Sequence, residues 1–376
     1  MPTLHALHPT LPASTPAIIS APMLAIASPN LAVSVTRAGG LGFIGAGFGV
    51  SSLETLLSQA AELVSKPCSS PPIPNYTYKK DDDDDDDTSS SPLPIGIGLL
   101  NWGADLDLAL PVLAKQPPAA LWLFAARDPD PASTFAAWAR EVRRATHNRT
   151  RIWIQIGSVA EALEAAARAQ PDVLVVQGSD AGGHGLARSA SIVSLVPEVK
   201  DALVRAGHGG IPLVAAGGIA DGRGVAAALC LGAQGVVMGT RFLASAEAAV
   251  SRGYQAEVLR VADGGVSTVR TTVYDAVRGY NAWPAQYDGR GVVNETLRDK
   301  EAGMDDAENQ RLYKEEMAKG DAGWGPTGRM TTYAGTGIGL VREVKSAEEI
   351  VRGVVAEAKE ILEEVKGRLW GGLDEK

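Results

Sequence analysis

Residues 213–240 read LVAAGGIADGRGVAAALCLGAQGVVMGT, which is an apolar run, a glycine pair, a helical segment and a second apolar run. Each apolar run is short, rich in small and β-branched residues and bounded by glycine, a pattern typical of a strand buried on both faces. We predict strands at Leu213–Ala216 and Val236–Met238, joined by a helix over Gly222–Leu231. Such a unit places its two strands in parallel, so the glycines that follow each strand lie at the same edge of the sheet.

The same alternation extends over most of the chain. Six further apolar runs predict buried strands: Ala17–Ala21, Leu41–Ile44, Ile95–Leu99, Leu121–Phe124, Ile152–Ile156 and Val173–Val176. Helical patterns lie between most of them: Leu53–Val64 after a capping box at Ser51–Glu54, Pro131–Thr146, a helix opened by the capping box Ser158–Glu161, and Val193–Ala206. Eight parallel strands with crossover helices favour a closed (β/α)8 TIM barrel over an open doubly wound sheet.

Three segments do not follow this alternation of strands and helices. Residues 66–92 contain prolines, serines and the run Asp81–Asp87, which predicts a disordered acidic insertion; a metal site is less favoured, because it needs spaced carboxylates. Residues 250–332 are aromatic and glycine-rich, and we interpret them as a cap over the barrel mouth, the alternative being a peripheral helical extension. Near the C-terminus, the capping box Ser346–Glu349 predicts the start of a helix that packs against the rest of the protein. The predicted division is a barrel of residues 1–249 plus 333–376, with residues 250–332 as the cap.

Composition and charge exclude several classes of protein. The 376 residues carry a formal charge of −9, but seven of the acids form the run Asp81–Asp87, so the rest of the chain is nearly neutral. A nucleic-acid-binding protein would show a basic face, and so would a protein that binds an anionic membrane. The two cysteines, Cys68 and Cys230, make neither a disulfide framework nor a zinc cluster. With no evident signal peptide or membrane span, we expect a cytoplasmic protein without a metal, a membrane or a nucleic acid as partner.

One histidine lies where a barrel places its chemistry. Residues 177–185 read QGSDAGGHG and follow the sixth predicted strand, and active sites of parallel barrels are built at the carboxyl ends of the strands. The neighbouring glycines let the backbone approach a ligand closely. Of the five histidines, His5, His8 and His147 have polar or terminal surroundings and His208 follows a helix as a candidate cap. We therefore expect His184 to be the functional histidine.

Two glycine junctions favour a phosphate group at the same end of the barrel. Gly217-Gly218 and Gly239-Thr240 follow the last two predicted strands, where this fold commonly binds phosphate with backbone N–H groups. The alternative is a pair of tight turns that need glycine for their geometry alone. The turn Ala21-Pro22-Met23 ends the first strand and could lie along a flat ring.

Together these residues resemble the nitronate monooxygenase family, also called 2-nitropropane dioxygenases. The matching motifs occur in family order: Ala21-Pro22-Met23, Ala38–Ile44, Gly182–Gly185, Ala215–Gly222 and Leu231–Phe242. The resemblance implies a non-covalent FMN and a catalytic His184. The cofactor-binding residues that it implies are Ala21, Pro22, Met23, Gln155, Gln177, Gly182, Gly183, Gly217, Gly218, Met238, Gly239 and Thr240.

The resemblance also implies a reaction. Members oxidise alkyl nitronates, and in some cases nitroalkanes, with O₂ to a carbonyl compound and nitrite, which would make His184 a base or hydrogen-bond donor. An NAD(P)H-dependent FMN reductase of the enoyl-acyl-carrier-protein reductase or quinone reductase type is the alternative on the same scaffold. A protein that only binds a phosphorylated ligand is a third possibility, and it would not be yellow. The chain departs from the family pattern at two places. Asp180 stands where many members have glutamate, and the third strand reads Gly98-Leu99-Leu100-Asn101 where members often read Gly-Val-Asn.

Overall fold

Eight parallel strands close into a barrel in the computed structural model, which describes residues 3–66, 73, 76, 91–127 and 130–370. The strands follow one another around the barrel in chain order: β1 (Ala17–Ser20), β2 (Leu41–Gly47), β3 (Leu93–Leu100), β4 (Pro118–Phe124), β5 (Arg151–Ile156), β6 (Val173–Gln177), β8 (Leu213–Ala216) and β9 (Gly235–Met238). Ile19 pairs with both Leu41 of β2 and Val237 of β9, which closes the ring. The predicted TIM barrel and its eight strands are confirmed, with β2, β3 and β4 longer than predicted.

Helices connect the strands and extend the chain beyond the barrel. They are α1 (Leu4–Leu7), α2 (Pro29–Arg37), α3 (Leu53–Ser65), α4 (Leu106–Lys115), α5 (Pro131–Ala145), α6 (Val159–Arg168), α7 (Ile192–Arg205), α8 (Gly222–Cys230), α9 (Thr240–Leu243), α10 (Arg252–Arg260), α11 (Gly264–Ser267), α12 (Val273–Arg278), α13 (Glu295–Glu301), α14 (Asp306–Met317) and α15 (Ala347–Trp370). No helix within the described ranges has the length and apolar character needed to cross a membrane. The run Asp81–Asp87 and most of the predicted insertion lie outside the described residues.

A second, three-stranded antiparallel sheet leaves the barrel between β6 and β8. It joins β7 (Gly183–Leu186) to β11 (Tyr287–Val292), and β11 to β10 (Thr268–Thr271). The glycine-rich segment after β6 was predicted as a turn, and that prediction is incomplete because its second half is strand β7. Pairing with a strand more than a hundred residues away stabilises this segment, and no local pattern reveals such a partner.

Alternating side chains divide the core into two layers. Trp122 and Trp153 point into the barrel with Phe43, and the ring centroids of Phe43 lie 5.2 Å from those of both tryptophans. Leu121 and Leu123, one residue away on the same strand, pack outward against the helices. This period of two places large rings at the centre of the barrel and aliphatic side chains beneath the helices.

Two of the three predicted capping boxes form. The Oγ of Ser158 accepts from the N–H of Glu161, whose carboxylate accepts from the N–H of Gly157, and Ser346 and Glu349 exchange equivalent bonds. The box predicted at Ser51–Glu54 is wrong, because a short 3₁₀ turn at residues 50–52 precedes α3 and the Ser52 hydroxyl donates to the carbonyl of Gly49.

His8 is not a solvated terminal residue, as its sequence context suggested, but is buried beside the aromatic core. The indole Nε1 of Trp153 donates to Nε2 of His8 at 3.1 Å, so this nitrogen carries no proton. Burial, together with the nearby charge of Arg151, lowers the pKa of His8 from 6.5 to about 3. In the unfolded chain His8 therefore becomes protonated near pH 6.5, whereas in the folded chain it becomes protonated only at much lower pH.

This difference predicts a loss of stability in acid. As the pH falls from 6.5 to 4.5, His8 should remove about 2–3 kcal/mol from the free energy of unfolding, because each pKa unit is worth about 1.4 kcal/mol. His8→Gln keeps an acceptor for Trp153 and does not titrate, so it should lose this part of the acid sensitivity in urea unfolding curves. His147→Gln, at an exposed histidine, serves as control and should behave as wild type. Parallel pH profiles for all three proteins would contradict the assignment.

Candidate active site at the carboxyl ends of the barrel strands

A cavity of about 870 Å³ opens at the carboxyl ends of the barrel strands. Twelve of the thirteen residues predicted from the sequence line it: Ala21, Pro22, Met23, Gln155, Gln177, Gly182, Gly183, His184, Gly217, Gly218, Gly239 and Thr240. Met238 does not, because its side chain is fully buried in the layer between barrel and helices and its carbonyl accepts from the N–H of Ala21. The volume lies within the range of about 300–1,000 Å³ that is common for small-molecule sites.

The Pro22-Met23 turn is held by close backbone packing. A Cβ on Gly98 would lie 2.3 Å from the Cβ of Pro22, and a Cβ on Gly45 would lie 2.3 Å from the carbonyl carbon of Met23. Both glycines belong to the neighbouring strands β2 and β3, so their missing side chains let the turn settle directly on the barrel rim. The turn therefore forms a firm wall of the cavity.

The two glycine junctions present unpaired N–H groups. Gly217 and Gly218 have φ angles of +113° and +74°, a conformation that only glycine adopts easily. The N–H groups of Gly218, Gly239 and Thr240 donate to no other group in the part of the chain that the structure describes. Thr240 also begins helix α9, and its hydroxyl accepts from the N–H of Gly335. An acceptor-rich anion would satisfy such donors.

Two glutamines lie deeper in the cavity. Gln155 is 9% exposed, and its Oε1 accepts from the indole N–H of Trp122 at 3.1 Å. Its Nε2 is buried and has no partner among the described residues. Gln177 instead uses its amide N–H to hold the carbonyl of His184 at 3.1 Å. An unpaired buried donor is costly, so Gln155 indicates an acceptor supplied by a ligand.

His184 is held on one edge and one face. Its Nε2 lies 2.8 Å from Oδ2 of Asp275, and its ring is stacked on Trp283 with centroids 3.7 Å apart and planes inclined by 4°. The two polar side chains are nearly buried, with exposed fractions of 14% for His184 and 7% for Asp275. The imidazole is thus oriented by its neighbours before any ligand binds.

A hydrogen-bonded chain continues from Asp275 into the protein. The hydroxyl of Tyr333 donates to Oδ1 of Asp275 at 2.8 Å, and the hydroxyl of Tyr254 donates to the carbonyl of Tyr333 at 2.9 Å. Burial, and next the charge of Asp275, raise the pKa of Tyr333 far above neutral pH, so its phenol remains a donor. Each oxygen of the Asp275 carboxylate therefore has a partner.

The charged side chains of the described lining favour an anion. Arg278 and Lys314 face the cavity, whereas Asp275 is its single carboxylate among the described lining residues. The guanidinium of Arg278 lies over Tyr280 and Tyr333, 5.0 and 5.5 Å from their ring centroids. Asp275, Arg278 and Lys314 come from the segment that was predicted to form a cap, residues 250–332.

Sequence reasoning missed the partners of His184. Trp283 was one of many aromatic residues in the segment 250–332, and neither Asp275 nor Tyr333 was predicted to be a site residue. Asp275 lies 91 residues from His184, and a lone aspartate on a short helix carries no motif. Only the packing of α12 against the second sheet brings the carboxylate to the imidazole.

Comparison with known proteins agrees with this architecture. The family model for nitronate monooxygenase matches residues 9–357. The chain is 47% identical over 341 residues to nitronate monooxygenase npaC of Metarhizium robertsii, covering 90% of this chain and 89% of that protein. It is 38% identical over 356 residues to the nitronate monooxygenase of Neurospora crassa, covering 89% of this chain and 87% of that protein.

Solved structures support the fold. Nitroalkane oxidase from Streptomyces ansochromogenes superposes with a TM-score of 0.69 at 23% identity over 96% of this chain and 99% of that one. FabK from Thermotoga maritima superposes with a TM-score of 0.68 at 23% identity over 98% of this chain and 100% of that one. The barrel is a TIM barrel with a small-molecule cavity, and the relatives of high identity show that it is an oxidoreductase. The chain belongs to the nitronate monooxygenase family.

Two adjacent glycines at the cavity should respond differently to the same substitution. In Gly182→Ala the new methyl would lie 2.4 Å from the backbone of Ala334 and Gly335, which cannot rotate away, so we expect a loss of about 3 kcal/mol in the free energy of unfolding. Gly183→Ala meets no atom within 4 Å and bears only the strain of a φ of +67°, about 1 kcal/mol. Thermal and urea unfolding compare the two. Equal losses would show that this packing is not tight.

Proposed function

We propose that this chain oxidises alkyl nitronates, and the neutral nitroalkanes that give rise to them, with O₂ to carbonyl compounds and nitrite. FMN is the proposed cofactor, and His184 is the proposed base and hydrogen-bonding group. The observation that carries the proposal is the oriented imidazole of His184 in a cavity that also offers unpaired backbone and glutamine donors. The names of the relatives in Metarhizium and Neurospora support nitronate as the substrate class.

The residues present fit the phosphate end of FMN. The unpaired N–H groups of Gly218, Gly239 and Thr240 offer several donors at one end of the cavity, with Gly217 shaping the turn. A phosphate dianion would satisfy donors that the protein leaves unpaired.

The residues also fit the flavin ring. Pro22 and Met23, with Ala21 beside them, form a wall on the barrel rim, and the free Nε2 of Gln155 matches a carbonyl oxygen or ring nitrogen of an isoalloxazine. Gly182, Gly183 and Gln177 complete our set of ring-binding residues. When bound, FMN supplies the electron acceptor for nitronate oxidation and the route by which O₂ is reduced.

The side chains of this protein supply binding, proton transfer and exclusion of water. Arg278 and Lys314 attract the nitronate anion into the cavity, and His184 receives the α-proton when the substrate arrives as a neutral nitroalkane. Tyr280, Trp283 and other aromatic residues of the proposed cap, residues 250–332, cover the mouth. Exclusion of water from the site strengthens these electrostatic interactions.

The role of Gln155 is tested by a pair of variants. Gln155→Glu replaces the unpaired donor by an acceptor, and we expect it to weaken FMN binding about 5- to 150-fold, since a lost partner for a buried group is worth about 1–3 kcal/mol. Trp122→Phe removes the bond to Oε1 while keeping an aromatic ring and the Gln155 amide, and should bind FMN nearly as well as wild type. Fluorescence titration of the deflavinated proteins measures both. Equal affinities in all three would remove Gln155 from the flavin site.

The reaction is tested with two substrates under two atmospheres. The purified protein should be yellow, release nitrite from propionate 3-nitronate under air and need no nicotinamide. His184→Asn should lower kcat/KM for a neutral nitroalkane about 10²–10⁴-fold with flavin still bound. Bleaching of the flavin by NADH under nitrogen, without nitrite release under air, would instead identify a reductase.

A further inference from the structure

The contact between His184 and Asp275 has a consequence for which imidazole nitrogen does the chemistry. We infer that Asp275 is a positioning residue that keeps the proton of neutral His184 on Nε2, so that Nδ1 is the atom that removes the α-proton of a neutral nitroalkane. This inference rests on the proposed function and extends it, because it names the base atom of His184 and the residue that sets its tautomer.

The surroundings of Nε2 leave it no room for a substrate. Asp275 Oδ2 is 2.8 Å away, and strand β11 lies against the same edge, since Gly289 pairs directly with His184. A Cβ built on Gly289 would lie 3.4 Å from Nε2 and 2.7 Å from Cε1 of Tyr333, so even the space of a methyl group is taken. Nδ1, in contrast, has no hydrogen-bond partner among the described residues, and His184 lines the cavity.

The partners of Asp275 determine the tautomer. The Tyr333 hydroxyl donates to Oδ1, which leaves Oδ2 as an acceptor toward His184. An ionised carboxylate accepts and cannot donate, so the hydrogen bond between Oδ2 and Nε2 requires a proton on Nε2. The neutral imidazole then carries its lone pair on Nδ1.

The geometry also stabilises the product of the proton transfer. The α-C–H bond of the nitroalkane breaks, the proton passes to Nδ1, and the electron pair remains on the substrate, delocalised into the nitro group as a nitronate. The imidazolium that forms is stacked on Trp283 and hydrogen-bonded to Asp275. Both neighbours interact more strongly with this cation than with the neutral ring, which lowers the barrier for deprotonation.

A comparison of two substrates separates this role from a structural one. Asp275→Asn reverses the hydrogen bond or removes it, so kcat/KM for nitroethane should fall about 10²–10⁴-fold. Preformed ethyl nitronate needs no deprotonation and should keep most of its turnover. Asp275→Glu, which restores a carboxylate, should recover part of the nitroethane activity. Asp288→Asn is the matched control, because Asp288 is a half-buried aspartate of the same sheet that pairs with Arg270; its ratio of nitroethane to nitronate activity should equal that of wild type.

Nitrogen NMR gives a readout that does not depend on turnover. In protein labelled with ¹⁵N-histidine, the signals lost in His184→Gln assign the residue, and their shifts report which nitrogen carries the proton. Wild type should show a protonated Nε2 and an unprotonated Nδ1, and Asp275→Asn should shift the proton to Nδ1. Flavin content and melting temperature, measured on every variant, exclude a loss of fold as the cause.

Several results would overturn the inference. A proton on Nδ1 of His184 in the wild-type protein would do so. An Asp275→Asn variant that loses activity toward both substrates equally, or toward neither, would also do so. A wild-type enzyme that oxidises ethyl nitronate but not nitroethane would overturn it and would restrict the proposed function to preformed nitronates. Absence of nitrite from either substrate would instead refute the proposed function, and the NMR measurement would still decide the tautomer.

Discussion

The closure of eight parallel strands into one ring is the constraint on which the rest of the structure depends. Parallel strands in a barrel end on the same rim, so residues at the carboxyl ends of β1, β5, β6, β8 and β9 meet around one cavity although they are far apart in the chain. Large rings such as Trp153 fill the interior below and prevent a channel. The cavity floor is therefore rigid, and ligand contacts are made by turns that this floor supports.

The second sheet adds what the barrel alone lacks. After β6 the chain leaves the ring to form β7, which places His184 on a strand rather than on a free loop. Strand pairing fixes the backbone of His184, while Trp283 and Asp275 fix its ring from a segment about a hundred residues later. The barrel accordingly supplies the donors for an anion, and the segment between β9 and α15 supplies the environment of the imidazole.

Much of the fold and part of the site could be predicted because their signals are local. Buried parallel strands appear as short apolar runs, and the residues at the strand ends follow directly from them, as with Gly217-Gly218 and His184. Features that depend on distant packing could not be predicted. The burial of His8 beside Trp153, the formation of β7 and the approach of Asp275 all require partners about ninety or more residues away. The capping box predicted at Ser51–Glu54 does not form, because residues 50–52 adopt a 3₁₀ turn before α3 begins.

A crystal structure of the flavin-loaded protein, with a nitroalkane bound under nitrogen, tests the central claim most directly. We expect the phosphate of FMN to lie against the N–H groups of Gly218, Gly239 and Thr240. We also expect the α-carbon of the substrate to face Nδ1 of His184 while Nε2 remains hydrogen-bonded to Asp275. A flavin bound elsewhere, or a substrate whose α-carbon faces Nε2 after the imidazole has left Asp275, would contradict it.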